Sequence, residues 1–325
     1  MGVILGWKEV QKQSQVVFDQ FGEKVWIPNA KRNVKLPRKN VQELQNAGIG
    51  KHLVLAAVGE SLAAEIETLK KFRDRIDILT CDKGFELLLK NGIKADYVML
   101  CDANIPYEHI KDSINETKGV KLLATPYANP EWTENWKGDR YFYVNKDALE
   151  TEKIFLDIFG QDIRAIPAGS NVSNAMLIFF TGSDEYQNYN WGGYSKYILV
   201  GYDYSWRPDG NYYAWKNPKP KRFYMNHRTM LDMNNDTVFT SENLLFSVKW
   251  LYSYITVYNL PVVNCSARGL LDIPYKNLLY TELVALNPAG IENCRECFTM
   301  MGNAHKAFMN SKRLFEKSRG GLLWQ

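Results

Sequence analysis

The chain has 325 residues, 46% hydrophobic and 23% charged, which is apolar enough for a sizeable core and excludes a disordered tail. Forty Lys and Arg against 36 Asp and Glu leave a formal net charge of +4, too small an excess to name a nucleic-acid partner. At about 150 residues per domain the length suits two domains, or one large α/β domain with additions.

Residues 1 to about 50 read as an N-terminal arm or small subdomain, with a helical stretch from Val10 to Phe18 broken up later by Pro28 and Pro37. Trp26 and Ile27 are there to be packed, so this is no linker. From His52 the pattern changes. His52 to Val58, Ile76 to Cys81, Tyr97 to Cys101, Lys121 to Thr125, Tyr141 to Val144 and Tyr197 to Gly201 are short apolar runs. Helix-like segments separate most of them: Leu62 to Arg75, Gly84 to Asn91 and Ala148 to Phe159. Short strands buried on both faces and alternating with helices predict an α/β, Rossmann-like fold, a mostly parallel sheet with helices on both faces. The regularity then fails between Trp206 and Asp236, where Lys216, Lys219, Lys221, Arg222 and Arg228 meet no acid between Asp209 and Asp232. Such a stretch is expected to be a lid or an irregular insertion, residues 206–236. A helix from Glu242 to Tyr258 and a strand from Val262 to Cys265 follow, and residues 281–325 read as a C-terminal helical extension.

Five cysteines, an odd and widely spaced set, suit reduced thiols in a cytoplasmic protein. Only Cys294 and Cys297 have metal-ligand spacing, with His305 as the one further ligand nearby; zinc wants four, so packing within a helix is the preferred role. No run approaches 18 apolar residues and the opening Met1 to Trp7 stops at Lys8 and Glu9, so neither a membrane span nor a signal peptide is expected.

In an open parallel sheet ligands bind beyond the carboxyl ends of the strands, which makes the polar residues ending each run the candidates. The first run ends in Gly59-Glu-Ser-Leu62: Gly59 and Ser61 either present backbone N–H groups to a phosphate or simply start a helix. Asp82 closes the second run and Asp102, with Asn104, the third; two aspartates at neighbouring strand ends suit a divalent ion, a ribose or a hydroxyl, or else cap. Gly169, Ser170 and Asn171 precede an apolar helix and form a second candidate anion cradle, and Gly201 and Asp203 end another strand.

The order of these motifs resembles the family that joins the archaeal 6-hydroxymethylpterin diphosphokinases (MptE-like) with the motility-associated-factor (Maf) flagellin glycosyltransferases. The family's Gly-x-Gly-Pro-Ser-Leu is similar to Val58-Gly-Glu-Ser-Leu62, and its Leu-x-x-x-Gly-Ile-x-Pro-Asp to Leu88-Leu-Lys-Asn-Gly-Ile-Lys-Ala-Asp96. Its strands ending in Asp resemble the segments closing at Asp82, Asp102 and Asp203, and its Gly-Ser-Val-x-x-x-Ala helix resembles Gly169 to Ala175. The late Maf segment is similar to Asn264-Cys-Ser-Ala-Arg-Gly-Leu-Leu-Asp-Ile273. The resemblance implies a transferase domain over residues 51–280, with a nucleotide donor and Mg²⁺ as implied cofactors.

Two departures bear on chemistry. Glu60 stands where the family keeps proline, beside the proposed cradle, where it would repel phosphate unless a metal or a base intervenes. Arg268 stands in a segment that lacks the family's acid, and either pairs with a diphosphate or carboxylate or makes a salt bridge. The resemblance implies glycosyl transfer from a nucleotide sugar to a protein, glycan or small-molecule hydroxyl, with ATP-dependent diphosphoryl transfer to a hydroxymethylpterin-like alcohol as the alternative. On that reading Gly59, Ser61, Asp82, Asn104, Gly169, Ser170, Asn171, Gly201, Asp203, Asn264, Ser266 and Arg268 bind the donor, Asp102 holds the metal and acts in catalysis, and His227 is a candidate acid or base. The stretch Tyr212 to Arg228 interleaves bases with aromatics, which also suits single-stranded nucleic acid, but charge balance elsewhere disfavours that partner.

Overall fold

The structure, a computed structural model, describes residues 5–148, 150–182, 190–208, 212–214 and 227–285. The chain divides into a unit of residues 1–277 and a second of 278–325. Of the second unit the described part holds one short helix, α9 (Leu279–Val284). Cys294, Cys297, His305 and most of the basic aromatic stretch lie outside the described residues.

Within residues 1–277 eight strands form one parallel sheet in the order β10-β7-β1-β2-β3-β4-β5-β6. They are β1 (His52–Ala56), β2 (Asp77–Cys81), β3 (Tyr97–Leu100), β4 (Lys121–Ala124), β5 (Arg140–Asn145), β6 (Arg164–Ile166), β7 (Lys196–Val200) and β10 (Val262–Asn264). Nearly every residue of the central strands is buried, as continuous apolar runs require when helices cover both faces. Leu53 and Leu55, Leu79 and Cys81, and Tyr97 and Met99 share one face with α7 (Val172–Thr181) and with residues of α8 (Glu242–Val257). The residues between them face the layer of α3 (Leu62–Lys71), α4 (Asp82–Lys90) and α6 (Thr151–Phe159).

α7 is buried on all sides, as its apolar sequence demands. Its one amide, Asn174, is fully bonded: Nδ2 donates to the Gly169 and Ser247 carbonyls, and Oδ1 accepts from Tyr204. The N-terminal segment packs as the apolar residues anticipated. α1 (Trp7–Phe21) sets Trp7 against Trp250 of α8, and Trp26 stacks on Tyr127 at 4.0 Å. α2 (Ile27–Asn33) buries Asn33, which donates to the Pro126 and Ala128 carbonyls.

The structure departs from the sequence expectation in three places. β6 is an edge strand of only three residues, too short to register as a run. β8 (His227–Leu231) lies inside the segment expected to be irregular and pairs antiparallel with β9 (Thr237–Ser241), which follows that segment; β8 is largely exposed, so it lacks an apolar signature. The helix expected to reach Arg75 stops at Lys71, and a tight turn carries the chain into β2. Among the described residues no helix is long and apolar enough to cross a membrane. Cys81, Cys101 and Cys265 form no disulfide.

After β1 the chain runs outward strand by strand to β6, and then returns to β7 on the other side of β1. Strand order therefore reverses between β1 and β7, the place where an open α/β sheet leaves a crevice for a ligand. The two strand ends stay bonded beyond the ladder, since Ala57 N donates to Val200 O and Gly59 N to Gly201 O. Gly201 has φ +74, and a side chain there would press on the Ala57 carbonyl. Gly201→Ala should therefore cost about 3 kcal/mol of stability. Gly50→Ala, also at positive φ but with nothing within 4 Å of an added methyl, should cost about 1 kcal/mol. Urea denaturation of the two variants checks this; equal midpoints would show that the close approach at Gly201 carries no cost.

Candidate functional site

At the carboxyl ends of β1, β2, β3 and β7 lies a cavity of about 320 Å³. Of the residues singled out in the sequence, Gly59, Asp82, Asp102, Ser170, Asn171, Gly201 and Asp203 line it. Ser61, Asn104, Gly169, Asn264, Ser266, Arg268 and His227 do not belong to the lining.

The crevice at the strand reversal is stitched by Asp203. Its carboxylate accepts the Ser61 amide at 2.8 Å and the Ser61 hydroxyl as well. Ser61 therefore makes no side-chain cap for α3, and the N-terminal dipole of that helix already faces an anion, one supplied by the protein. Gly59 is needed here because a Cβ would come within 2.6 Å of Asp203 Cγ.

The second cradle is built the same way by a residue that sequence reasoning missed. Asp147 is buried and accepts the amides of Ala168 at 2.9 Å and Ser170 at 3.1 Å. Asn171 caps α7 by accepting from Ser173 N. Asp147 follows the end of β5, so extending the strand-end rule to that strand would have found it.

Burial pushes both acids up, from 3.8 to about 6 for Asp147 and likewise for Asp203, against the lowering by their N–H and hydroxyl donors. Arg268 also draws Asp203 down, and Glu60 pushes it up.

Across the cavity stand Asp82 and Asp102. Asp82 is the first residue of α4 and is almost wholly buried, and its Oδ2 has no hydrogen-bond partner. Burial raises its pKa, Lys83 opposes that, and the charge of Asp102 adds to it. Asp102 is exposed, and its Oδ1 accepts Asn104 N at 2.8 Å, a turn that explains the position of Asn104.

Lys83 is the single cation among the described lining residues. Its Nζ donates to Tyr213 OH at 3.0 Å and lies 5.0 Å from the centre of that ring. Burial works to lower the ammonium, yet the Tyr213 phenol and Asp82 outweigh it and hold its pKa above the ordinary value. The missed signal is a cation in the first turn of a helix, where the dipole disfavours it and some other partner must hold it. Tyr213 packs edge-on against Tyr212, which rests on Trp206. Ala214 N donates to Val58 O, so this short segment is bonded to the end of β1.

The donor set suits a hard divalent cation that keeps most of its waters: two carboxylates at adjacent strand ends, one with a buried, unbonded oxygen. Among the described residues no three His, Cys, Asp or Glu side chains converge on a metal position. The protein would thus supply a partial shell, and water and ligand oxygens the remainder.

Of the other candidates, Asn264 and Ser266 hold the backbone. Asn264 Nδ2 donates to Leu271 O, and its Oδ1 accepts Ser266 N. Ser266 Oγ in turn accepts Tyr202 N at 2.8 Å. His227 lies on β8 with its ring 4.1 Å from that of Phe239. Arg268 makes the salt bridge that was one of its two readings, with Glu60 Oε2 at 3.3 Å, and Arg207 reaches Glu60 Oε1 at the same distance.

Residues 24–209, more than half of the chain, match the family described as 6-hydroxymethylpterin diphosphokinase MptE-like. Among solved structures, a Maf glycosyltransferase from Magnetospirillum magneticum AMB-1 is similar with a TM-score of 0.55 and 18% identity, over 81% of this chain and 40% of that one. At that identity the likeness concerns the fold, and this chain spans less than half of that neighbour's length. No protein of curated function matches the sequence.

The two raised acids predict a pH dependence. An acid whose pKa is higher in the folded than in the unfolded chain stabilises most while protonated, and that contribution is lost as pH rises from about 4 to about 6. For Asp203 a rise from 3.8 to about 6 corresponds to about 3 kcal/mol. Denaturation curves of Asp203→Asn should show a decline across that window smaller by about 3 kcal/mol than in the wild type; parallel profiles would show that the Asp203 pKa is the same in the folded and the unfolded chain.

Proposed function

The chain belongs to the MptE-like family, and from that premise we propose that it is a nucleotide-dependent transferase working in the cavity beyond β1, β2, β3 and β7. The observation that carries this reading is the pair Asp82 and Asp102 in the cavity lining, with the buried oxygen of Asp82 unbonded and Lys83 beside it. Group transfer from a nucleotide must neutralise charge on a departing phosphate and take a proton from an acceptor hydroxyl. A carboxylate pair together with one ammonium has the chemistry for both.

We favour glycosyl transfer. Asp102, exposed at the mouth, would accept the proton of the acceptor hydroxyl as that oxygen attacks the anomeric carbon. The bond from that carbon to the phosphate oxygen of the nucleotide breaks, and its electron pair leaves with the nucleotide. Asp82 and Asp102 would hold Mg²⁺, which when bound supplies positive charge at the leaving phosphate. Lys83 would add its charge from the side where Tyr213 holds it. The likeness of fold to a Maf glycosyltransferase supports this choice.

The family match favours a second reading, diphosphoryl transfer from ATP to a hydroxymethylpterin-like alcohol. There the hydroxyl attacks the β-phosphorus and AMP leaves. The same carboxylates serve either reaction, and the released nucleotide tells them apart.

His227 has no part in this scheme, because it does not line the cavity. Incubation with CMP-, UDP- and GDP-sugars and with ATP, each with and without Mg²⁺, identifies the donor from the nucleotide released. With the productive donor, Asp82→Asn and Asp102→Asn should each lower turnover by about 100-fold, while His227→Ala should stay within about twofold of wild type. Full activity in both Asn variants would contradict the proposal.

A further inference from the structure

Three neighbouring strand ends send charged side chains to one point at the edge of the cavity. Glu60 follows β1, Arg207 follows β7 and Arg268 follows β10, and these three strands are adjacent in the sheet. Both guanidiniums meet the Glu60 carboxylate, Arg207 at Oε1 and Arg268 at Oε2, each at 3.3 Å. The carboxylate lies beneath: its side chain is 13% exposed, against 47% for Arg207 and 21% for Arg268.

We propose that Arg207 and Arg268 form a receptor for a diphosphate group, and that Glu60 occupies it as an internal stand-in until the ligand arrives. This rests on the nucleotide reading above and adds where the diphosphate is held and what guards it.

Two features carry the inference. The pairing is loose, for 3.3 Å is well beyond the roughly 2.7–2.9 Å of a strong charge-assisted bond, and Glu60 Oε2 is buried without any hydrogen bond. One carboxylate also meets two guanidiniums, with a single oxygen for each. A diphosphate carries more charge than Glu60 and offers oxygens on two phosphorus atoms, so it matches two guanidiniums better than one carboxylate does. Gly59, the residue before Glu60, lines the cavity, as does Ser205, two residues before Arg207. A group bound by the arginines would therefore sit at the edge of the proposed reaction site. No covalent step is involved; the exchange is of one anion for another.

The test is calorimetry on the full chain with inorganic pyrophosphate, and separately with ADP and CDP, at low salt. Glu60→Gln should tighten pyrophosphate binding about tenfold, since it removes both the competitor and its repulsion. Arg268→Gln should weaken it by about the same factor, and the Glu60→Gln/Arg268→Gln pair should fall between the two single variants. If Glu60→Gln fails to fold, Glu60→Ala removes the same charge and should shift affinity in the same direction.

Unchanged or weaker pyrophosphate binding in a folded Glu60 variant would overturn the proposal, and so would pyrophosphate binding by none of the variants. Tightened pyrophosphate binding with neither nucleotide bound would keep the receptor and count against the nucleotide reading. Nucleotides bound equally well by wild type and the Glu60 variants would keep that reading and discard the stand-in.

Discussion

The contact between Asp203 and Ser61 joins the end of β7 to the start of α3, and the top of the sheet is arranged around it. A buried carboxylate is costly unless its oxygens are bonded, and Asp203 meets that need with an amide and a hydroxyl from a turn 142 residues away in sequence. The surrounding glycines follow from it. Gly59 leaves room for the Asp203 side chain, and Gly269 lets another loop pass against its backbone. Asp147 does for the turn before α7 what Asp203 does for α3, accepting the amides of Ala168 and Ser170.

With both turns bonded to the protein's own aspartates, the cations left for a ligand among the described residues are side chains. Lys83 stands in the cavity wall beside the acidic pair Asp82 and Asp102, and Arg207 and Arg268 stand at the cavity's edge. An acidic wall next to a few fixed cations is better matched to a phosphate that brings a divalent ion than to a bare one. The apparent conflict of Glu60 with a phosphate-binding role is resolved locally, because two arginines already meet its charge.

Much of this architecture was legible in the residues. The central strands are unbroken apolar runs because both faces are covered, and the polar residues ending them led to Asp82, Asp102 and Asp203. What stayed hidden has physical reasons. β6 is three residues long, and the β8–β9 ribbon is exposed on β8, so neither carries the burial that makes a strand visible in sequence. Lys83 and Asp147 act through partners distant along the chain, Tyr213 and the Ala168 to Ser170 turn, and no local spacing records such pairings. Asn264 and Ser266 have the look of ligand contacts in sequence; in the structure their side chains bond the backbone at Leu271 and Tyr202.

The most direct test of this account is a crystal structure with a nucleotide and Mg²⁺ bound. It should show the phosphates and the ion reached by Asp82, Asp102 and the basic side chains, with Asp203 still accepting the Ser61 amide. Phosphate oxygens bonded to the Ser61 amide, with the Asp203 carboxylate turned away, would contradict it.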